Sequence, residues 1–272
     1  MLTLEAIGYR YAGARSQSLK EVNLELRDGE VLGLVGASES GKTTLCLVAS
    51  GLAPRTVGGT LTGRVLLDGE DVAPLAMHQL AALIGIAFDR PATQLSGVAT
   101  TVYEEVAFGP MNLALPRSEV IARTNEALDA LRIEALADRD PARLSGGQQQ
   151  LVAIAGLLAL RPAHLILDEP TAQLDPAGTV MVADALARLA TDGASILVTE
   201  HKTDLLTRIC SRVVALYAGR VVLDGPADDI LGDPRLPELG IASPSAARLR
   251  RAARSAEMPS PALARLDTEL AR

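Results

Sequence analysis

Eight consecutive residues in the first fifth of the sequence have the types and spacing of a phosphate-binding loop. They read GASESGKT from Gly36 to Thr43, after an apolar stretch and before a segment of helical pattern. Glycines in such a loop let backbone N–H groups converge on phosphate oxygens, and a helix N-terminus adds partial positive charge. We therefore expect a nucleoside triphosphate to bind here, through Gly36, Ala37, Ser38, Glu39, Ser40, Gly41, Lys42, Thr43 and Thr44.

Several side chains in and beyond this loop have separate expected roles. Lys42 would reach the β- and γ-phosphates, Thr43 would give its hydroxyl to Mg²⁺, and Thr44 would contact the α-phosphate. Asp168 ends an apolar run and would hold Mg²⁺ directly or through water. Glu169 follows it and would orient or deprotonate the attacking water. The alternative is that the two carboxylates only begin a turn, because a proline follows them.

One of the three histidines also has a functional context. His201 follows the apolar run 195–199, at the sheet edge where ligands collect in open α/β folds. From there it could bridge the γ-phosphate and the attacking water. A lone histidine is more often structural or exposed, and we interpret His78 and His164 in that way.

Apolar periodicity predicts the elements that must position these side chains. Alternation over residues 2–11 and 22–26 is typical of half-buried antiparallel strands. A glycine-rich loop over 51–63 should precede a strand at 64–67, and the region 91–160 is mainly helical in pattern. Buried strands are predicted at 31–35, 84–88, 165–167 and 195–199, and helices at 42–50, 118–131 and 176–190. Strands that alternate with helices indicate a mainly parallel sheet with helices on both faces.

Composition restricts the function classes. The net charge of −7 argues against a nucleic-acid surface, which needs clustered Lys and Arg. Cys46 and Cys210 match no metal or redox spacing, so we expect two buried, reduced thiols in a cytoplasmic compartment. We expect neither a signal peptide nor a membrane-spanning segment, so that a membrane role would depend on a partner.

A third motif, LSGGQ at residues 144–148, lies between the phosphate loop and the acidic pair. With all three motifs in this order, the chain resembles the ATP-binding cassette (ABC) ATPases over about residues 2–229. The resemblance implies ATP and Mg²⁺ as cofactors. It also implies a head-to-tail dimer in which the signature motif of one subunit closes over the γ-phosphate bound by the other. That anion site would consist of Ser145, Gly146, Gly147 and Gln148 at a helix N-terminus. A helix cap followed by glutamines is the alternative, and it accounts for the serine but not for the paired glycines.

The resemblance assigns roles to three further positions. Asp175 matches the loop that couples the two nucleotide sites. Tyr11 matches the aromatic residue that stacks on adenine, unless it is an ordinary strand tyrosine on the same face as Tyr9. Asp89 stands where the family usually has a glutamine that contacts Mg²⁺ and senses the transport partner. We predict Asp89 as an altered metal-contacting position, and we place Gln94 in the following loop.

The resemblance also implies an architecture. We expect a P-loop NTPase core with a mainly parallel sheet, an N-terminal antiparallel β-subdomain and an inserted α-helical signature subdomain at about 90–160. The nucleotide-binding domain would span 1–232, and a helical C-terminal extension would span 233–272, interrupted by prolines at 244, 259 and 261. Arginines in that extension are interpreted as a solvated face, with contact to a sister subunit or lipid headgroups as the alternative; they are Arg248, Arg250, Arg251 and Arg254.

Two segments are similar to the ATPases of the energy-coupling factor (ECF) importers. They are TTVYEEVAFGP at 100–110 and VAIAG at 152–156. This similarity implies a second ATPase subunit, identical or related, on the cytoplasmic face of the cell membrane. It also implies a transmembrane coupling protein and a membrane protein that captures a vitamin or transition-metal ion, with no nucleic acid.

Part of the first segment suggests a contact surface for these membrane partners. We hypothesise that Asp89, Glu104 and Glu105 give negative charge to the groove that receives cationic coupling helices. Three alternatives to the ECF interpretation stay open. They are another type of ABC importer, a regulatory ATP-binding subunit with weak turnover in an asymmetric dimer, and a non-transport ABC protein acting on DNA or ribosomes.

Overall fold

The computed structural model describes residues 1–256 together with Arg265 and Glu269. The strands are β1 (Leu2–Tyr11), β2 (Leu19–Leu26), β3 (Val31–Val35), β4 (Gly59–Leu67), β5 (Glu70–Asp71), β6 (Ile84–Ala87), β7 (His164–Asp168), β8 (Ser195–Thr199), β9 (Arg212–Tyr217) and β10 (Arg220–Pro226). The helices are α1 (Lys42–Ala49), α2 (Leu52–Arg55), α3 (Met77–Leu83), α4 (Val102–Asn112), α5 (Arg117–Ala130), α6 (Gly146–Leu160), α7 (Pro176–Thr191), α8 (Thr203–Ile209), α9 (Ala227–Gly232) and α10 (Ser245–Ser255). Most of the predicted elements are present close to their expected bounds.

The strands form two sheets. An antiparallel sheet has the strand order β2-β1-β4-β5. The second sheet has the order β10-β9-β3-β8-β7-β6, in which every neighbouring pair from β9 to β6 is parallel and β10 is antiparallel to β9. The predicted fold class, mixed α/β with an antiparallel N-terminal sheet and a mainly parallel core sheet, is confirmed.

Both faces of the parallel sheet are covered. In β3, Leu32 and Leu34 pack in an apolar cluster with the antiparallel sheet, whereas Val31 and Val35 pack in a second cluster with α4, α5 and α6. This division arises because successive side chains of a strand point to opposite faces of the sheet. Burial on both faces explains why β3, β7 and β8 occur in the sequence as continuous apolar runs.

The helices α4, α5 and α6 pack against one another and form the inserted helical subdomain that the resemblance implies. Thr101 begins α4, and its Oγ1 accepts a hydrogen bond from the Glu104 N–H at 3.1 Å. Cys46 and Cys210 are buried free thiols, as predicted. Among the described residues, no helix has the length and apolar character needed to cross a membrane.

The antiparallel sheet and the last strands differ from the sequence-based expectation. The predicted loop over 51–63 is wrong in two places. The short helix α2 occupies 52–55, and β4 begins at residue 59, where residues 59–62 pair with residues 8–11 of β1. Pairing with a long neighbouring strand outweighs the local preference of this glycine- and threonine-rich segment for a loop. Neither β9 nor β10 is among the predicted strands.

The C-terminal segment also differs from its predicted helical pattern. Residues 233–244 form turns and irregular backbone, and a helix begins only at Ser245. Leu236 and Ile241 are buried and belong to the same apolar cluster as Val35. Pro259, Pro261 and most of the predicted extension beyond residue 256 lie outside the described residues. The division of the chain at residue 232 remains a prediction.

Candidate nucleotide-binding site

The loop from residue 36 to residue 41 joins β3 to α1. A Cβ at Gly36 would lie 2.4 Å from Ser40 Oγ, so the loop closes tightly at this point. Gly41 precedes α1 with φ +107°, a left-handed backbone that favours glycine. The loop therefore delivers the N-terminus of α1 to the carboxyl edge of the parallel sheet, as a phosphate-binding loop requires.

Lys42 is the cation of this loop. Its Nζ donates hydrogen bonds to the carbonyl oxygens of Gly36 at 2.9 Å and Ala37 at 3.1 Å. Burial lowers the pKa of Lys42, and the negative charges of Glu169 and Asp168 oppose part of that change. The Lys42 ammonium is thus within electrostatic range of both carboxylates that the sequence singles out.

Asp168 is the last residue of β7, and its side chain is buried. Its Oδ1 accepts a hydrogen bond from Thr199 Oγ1 at 2.7 Å. Thr199 ends the neighbouring strand β8 and is the register partner of Asp168. The hydroxyl therefore fixes the orientation of the carboxylate, a role for Thr199 that the sequence pattern does not indicate.

Glu169 turns out of the sheet directly after β7. Its φ is +52°, and its backbone N–H donates to Thr199 O at 3.1 Å and to Thr199 Oγ1 at 3.0 Å. These two hydrogen bonds stabilise a backbone conformation that is unfavourable for a residue with a side chain. His201 Nε2 lies 2.9 Å from Glu169 Oε1. The structure therefore brings together the two residues predicted to act on the attacking water.

A cavity of about 520 Å³ adjoins Lys42, Glu169 and His201, whereas Asp168 is not among its lining residues. The predicted site residues in its lining are Tyr11, Ser38, Glu39, Gly41, Lys42, Thr43, Thr44, Glu169 and His201. Its lining also includes residues 16–18, Lys20 and the β9–β10 turn at 218–219, which sequence reasoning missed. Gly219 N donates to Ser40 O at 2.9 Å, and Lys20 N donates to Gly219 O at 2.8 Å. Because these contacts join distant parts of the chain, no local pattern could reveal them.

The two tyrosines of β1 have different surroundings. Tyr9 is fully buried and donates through its hydroxyl to the carbonyl oxygens of Val57 and Gly58. Tyr11 is half-buried, lines the cavity, and has its hydroxyl 3.0 Å from Thr44 Oγ1. Their rings meet edge to face with centroids 5.0 Å apart. Tyr11 is therefore the tyrosine that is placed to meet a nucleotide, and adenine stacking remains a prediction for it.

The signature motif lies at the start of α6. Ser145 Oγ accepts a hydrogen bond from the Gln148 N–H at 3.3 Å, and Gln148 Oε1 accepts one from the Ser145 N–H at 3.1 Å, which is a capping box. A Cβ at Gly146 would lie 2.3 Å from Gln173 Oε1, so Gly146 approaches the loop after β7 closely. Within the described part of the chain, no signature residue contributes to the lining of the cavity at the phosphate loop.

The loop 171–175 lies between the signature motif and the histidine. Asp175 Oδ1 accepts a hydrogen bond from the Gly178 N–H at 2.7 Å and caps α7. Glu200 Oε1, buried beside this loop, accepts from Thr171 N at 3.0 Å, and Lys202 Nζ donates to Thr171 O at 2.7 Å. The two residues that flank His201 therefore hold the loop to which Asp175 belongs, and sequence reasoning singled out neither of them.

Asp89 lies outside the cavity lining. Its side chain is exposed, and its carbonyl oxygen accepts a hydrogen bond from Gln173 Nε2 at 3.1 Å. Gln94 lies in the following loop, as predicted, and its side-chain amide binds the backbone at the end of β6. Its Oε1 accepts a hydrogen bond from Phe88 N at 2.8 Å, and its Nε2 donates one to Ile86 O at 3.0 Å. A metal contact of Asp89 remains a prediction.

Glu104 and Glu105 both have local partners. Glu104 Oε2 accepts hydrogen bonds from Thr100 N at 2.9 Å and Thr100 Oγ1 at 2.7 Å, and these bonds lower the pKa of Glu104. Glu105 accepts from Ser96 N at 2.6 Å and Ser96 Oγ at 2.7 Å. Both carboxylates thus hold the loop that precedes α4, whether or not they also contact a partner.

Comparisons with known proteins agree with this geometry. The sequence profile of the ABC transporter family matches residues 19–172. A putative ABC transporter ATP-binding protein from Methanosarcina mazei is 40% identical over 254 residues, which are 92% of this chain but 43% of that protein. The chain thus spans about two fifths of the length of the first curated relatives it matches. The energy-coupling factor transporter ATP-binding protein EcfA from Methanocaldococcus jannaschii is 36% identical over 217 residues, 79% of this chain and 75% of EcfA.

Solved structures place the fold in the same group. CbiO1 from Clostridium perfringens, part of the ABC transporter complex cbiONQ, has a TM-score of 0.74 and 33% identity, and the match covers 88% of this chain and 96% of that one. The ATP-binding cassette MJ0796, a dimer in a post-hydrolysis state bound to ADP and Pi, has a TM-score of 0.73 and 29% identity, with 84% and 99% covered. The chain belongs to the ABC transporter family.

Proposed function

We propose that this chain is the ATPase subunit of an ECF-type importer, where it couples ATP binding and hydrolysis to the uptake of a vitamin or transition-metal ion. The observation that carries the enzymatic part is the Glu169–His201 pair, 2.9 Å apart at the same cavity as Lys42. The ECF assignment is supported by the similarity to EcfA and to CbiO1. It goes beyond what the family membership itself states.

In this proposal the phosphate loop binds the triphosphate and neutralises its charge. Lys42 exchanges its two carbonyl contacts for β- and γ-phosphate oxygens, while backbone N–H groups of the loop surround the phosphates. Tyr11 stacks on the adenine at the other end of the cavity. These contacts supply positioning and charge neutralisation. They suit phosphoryl transfer, because that reaction requires little covalent chemistry from the protein.

The donors near Lys42 fit a magnesium ion. Thr43 offers a hydroxyl and Asp168 a carboxylate, which are hard oxygen ligands, and Mg²⁺ usually adds water and substrate phosphates to one or two such protein ligands. No group of three or more His, Cys, Asp or Glu residues that could hold a metal occurs among the described residues, which agrees with a site that is completed by the substrate. When bound, Mg²⁺ would neutralise charge on the phosphates.

Hydrolysis then depends on Glu169 and His201. Glu169 orients the attacking water and accepts its proton, because its carboxylate is held at the cavity by the turn after β7. His201 contacts the same carboxylate through Nε2 and reaches the γ-phosphate from its side of the cavity. Asp168 stays in place through its hydrogen bond to Thr199.

We further propose that a second ATPase subunit, identical or related, completes the site. The signature motif of this chain lies away from its own cavity, at an exposed helix N-terminus that can accept an anion. In a head-to-tail pair, residues 145–148 of each subunit would close over the triphosphate of the other, and Asp175 would lie between the two sites. MJ0796 is a dimer of this family.

The remaining partners are a transmembrane coupling protein and a separate substrate-capture protein at the cytoplasmic face of the cell membrane. The test is to isolate the tagged protein from detergent-solubilised membranes of its source cells and to identify its stoichiometric partners by mass spectrometry. We expect one coupling protein and one small substrate-capture protein. Recovery with an importer that uses an external binding protein, or with ribosomes, would contradict the ECF assignment.

The hypothesis that Glu104 and Glu105 give negative charge to a groove for the coupling protein needs two variants. They must separate the effect of charge from loss of the loop, because both carboxylates also accept hydrogen bonds from the loop before α4. Replacing both by Lys should abolish co-purification of the coupling protein, because cations would then face cations. Replacing both by Gln keeps hydrogen-bond acceptors for the loop and removes only the charge, and it should weaken co-purification partly. If the Gln variant binds the coupling protein as well as the wild type does, negative charge in the groove does not contribute to that binding.

A further inference from the structure

The segment 236–245, which we name the C-terminal strap, packs between two parts of the nucleotide site. Leu236 and Ile241 are buried in the same apolar cluster as Val35 and Leu206. Val35 is the residue directly before the phosphate loop, and Leu206 belongs to α8, which begins two residues after His201. The strap therefore shares an apolar cluster with β3, which leads into the phosphate loop, and with α8, which follows His201.

One contact of the strap touches the phosphate loop itself. Gly240 has φ +71°, and a Cβ at this position would lie 3.0 Å from Ala37 Cβ. A carbon pair at that distance must separate by a few tenths of an ångström to reach ordinary van der Waals contact. Ala37 is also a residue whose carbonyl oxygen accepts a hydrogen bond from Lys42 Nζ. Gly240 thus lies next to a residue that contacts Lys42 directly.

The other end of the strap is attached beside the histidine. Asp204 accepts two hydrogen bonds from Ser245, one from its N–H to Oδ1 and one from its hydroxyl to Oδ2, both 2.7 Å long. Asp204 lies in the first turn of α8, three residues after His201. This paired contact joins the start of α10 to the start of α8, so the strap is fixed at both of its ends.

We propose that the C-terminal strap positions the phosphate loop and His201 relative to each other, with Gly240 and Asp204 as positioning residues. The proposal rests on the proposed ATP site but adds residues that no motif of that site contains. A strap that only stabilises the fold would lower the melting temperature when it is altered. A strap that positions the site would also change KM and kcat, each through a different one of its contacts.

The first test is Gly240→Ala, measured as KM and kcat for ATP. We expect KM to rise about three- to tenfold. A misplacement of a site residue by 1 Å can lower activity about 10²-fold, and the displacement expected here is a fraction of 1 Å. The matched control is Gly69→Ala in the β4–β5 turn, where φ is +85° and nothing lies within 4 Å of the added Cβ. It places the same strain on the backbone without touching the phosphate loop, so KM should not change.

Ala37→Gly in the Gly240→Ala background removes one of the two colliding methyl groups. Because Ala37 belongs to the phosphate loop, the reference is the KM of Ala37→Gly alone. If the contact with Ala37 carries the effect, adding Gly240→Ala to that variant should change its KM little. If Gly240→Ala and Gly69→Ala lower the melting temperature alike and neither changes KM, the strap is merely structural and the proposal is wrong.

The second test examines the other end of the strap. Asp204→Ala should lower kcat about three- to tenfold with little change in KM, because it removes both acceptors and releases the start of α8 near His201. Adding Ser245→Ala to it should cost nothing more, since the hydroxyl has already lost its partner. Asp184→Ala is the control, because Asp184 also contacts α8, through Arg208 in its last turn, 2.8 Å away. An equal loss of kcat in this control would overturn the proposal.

Direct binding of ATP separates failure of this inference from failure of the proposed function. In a Glu169→Gln background, where hydrolysis is slow, Gly240→Ala should still weaken ATP binding by the factor seen in KM. If the wild-type chain hydrolyses no ATP but Gly240→Ala still weakens its binding, the proposed function fails and the positioning role stands. If the chain hydrolyses ATP and binding is unaffected by Gly240→Ala, the positioning role fails alone.

Discussion

The carboxyl edge of the parallel sheet and the N-terminus of α6 are both anion sites in the proposed mechanism, but they are built differently. At the sheet edge, Thr199 of the neighbouring strand holds Asp168 and Glu169, and Lys42 donates to a carbonyl oxygen of its own loop. At α6, Ser145 and Gln148 satisfy each other through a capping box within one turn. The orientation of the first site depends on pairing between strands, whereas the side-chain hydrogen bonds of the second form within one helical turn. The capping of the second site therefore needs no rearrangement when another molecule approaches it.

The largest expected effect comes from the sheet edge. Glu169→Gln should lower kcat about 10²- to 10⁴-fold, the range for loss of a general base, while ATP still binds. Phosphate release and equilibrium binding of ATP would measure the two quantities separately. A variant that turns over at the wild-type rate would remove Glu169 from the mechanism and would leave the sheet edge as a binding site only.

A mixing experiment tests whether the two sites work together across subunits. Lys42→Ala and Ser145→Arg should each inactivate a homodimer. Mixed in equal amounts, they should regain about a quarter of the wild-type rate, because half of the dimers contain one intact site out of two. A sample of Lys42→Ala carried alone through the same mixing procedure is the control and should stay inactive. No recovery in the mixture, with exchange of subunits verified, would mean that the two sites do not combine head to tail.

The alkaline limb of kcat/KM tests the electrostatics of the sheet edge. Burial lowers the pKa of Lys42 relative to its ordinary value of 10.5. Since the protonated form binds phosphate, a rise in pH removes that charge, and kcat/KM should fall at a lower pH than for a free lysine. Arginine keeps its charge at high pH, so the alkaline limb should shift to higher pH in Lys42→Arg. If the alkaline limb of Lys42→Arg is the same as that of the wild type, the limb reports the ionisation of another group.

The smallest effect is expected at Glu39, which has φ +64° within the phosphate loop. Glu39→Gly should increase the free energy of unfolding by about 1 kcal/mol, because a left-handed backbone is costly for any residue with a Cβ. It should also lower KM for ATP, because a carboxylate beside the triphosphate is lost. Glu39→Gln removes the charge and keeps the backbone strain, so it should reproduce the change in KM without the gain in stability.

Sequence reasoning succeeds where a short pattern and its flanking strand define the geometry. The loop 36–43 and the Ser145 cap lie where their patterns predict, because each is set by residues close to it in the sequence. The Asp168–Glu169 pair also lies at the predicted strand end, although Thr199 of the neighbouring strand fixes its orientation. His201 is also placed beside Glu169, since parallel strands bring their carboxyl ends to one edge.

Sequence reasoning misses the parts that depend on tertiary contacts. Glu200 and Gly240 lie in no recognisable motif, yet each contacts a site loop that is distant in sequence. The start of β4 at residue 59 was also missed, because its pairing with β1 is decided by a partner strand about 50 residues earlier. Such contacts follow from the assembled sheet and not from local preference.

The hydrogen bond between Thr199 and Asp168 joins the last residues of two neighbouring strands that are register partners. Sliding either strand by one position would turn one of these side chains to the opposite face and separate them. The reacting carboxylates therefore acquire their alignment only when β7 and β8 have paired correctly. Chains in which these two strands have not paired would therefore lack the aligned carboxylate.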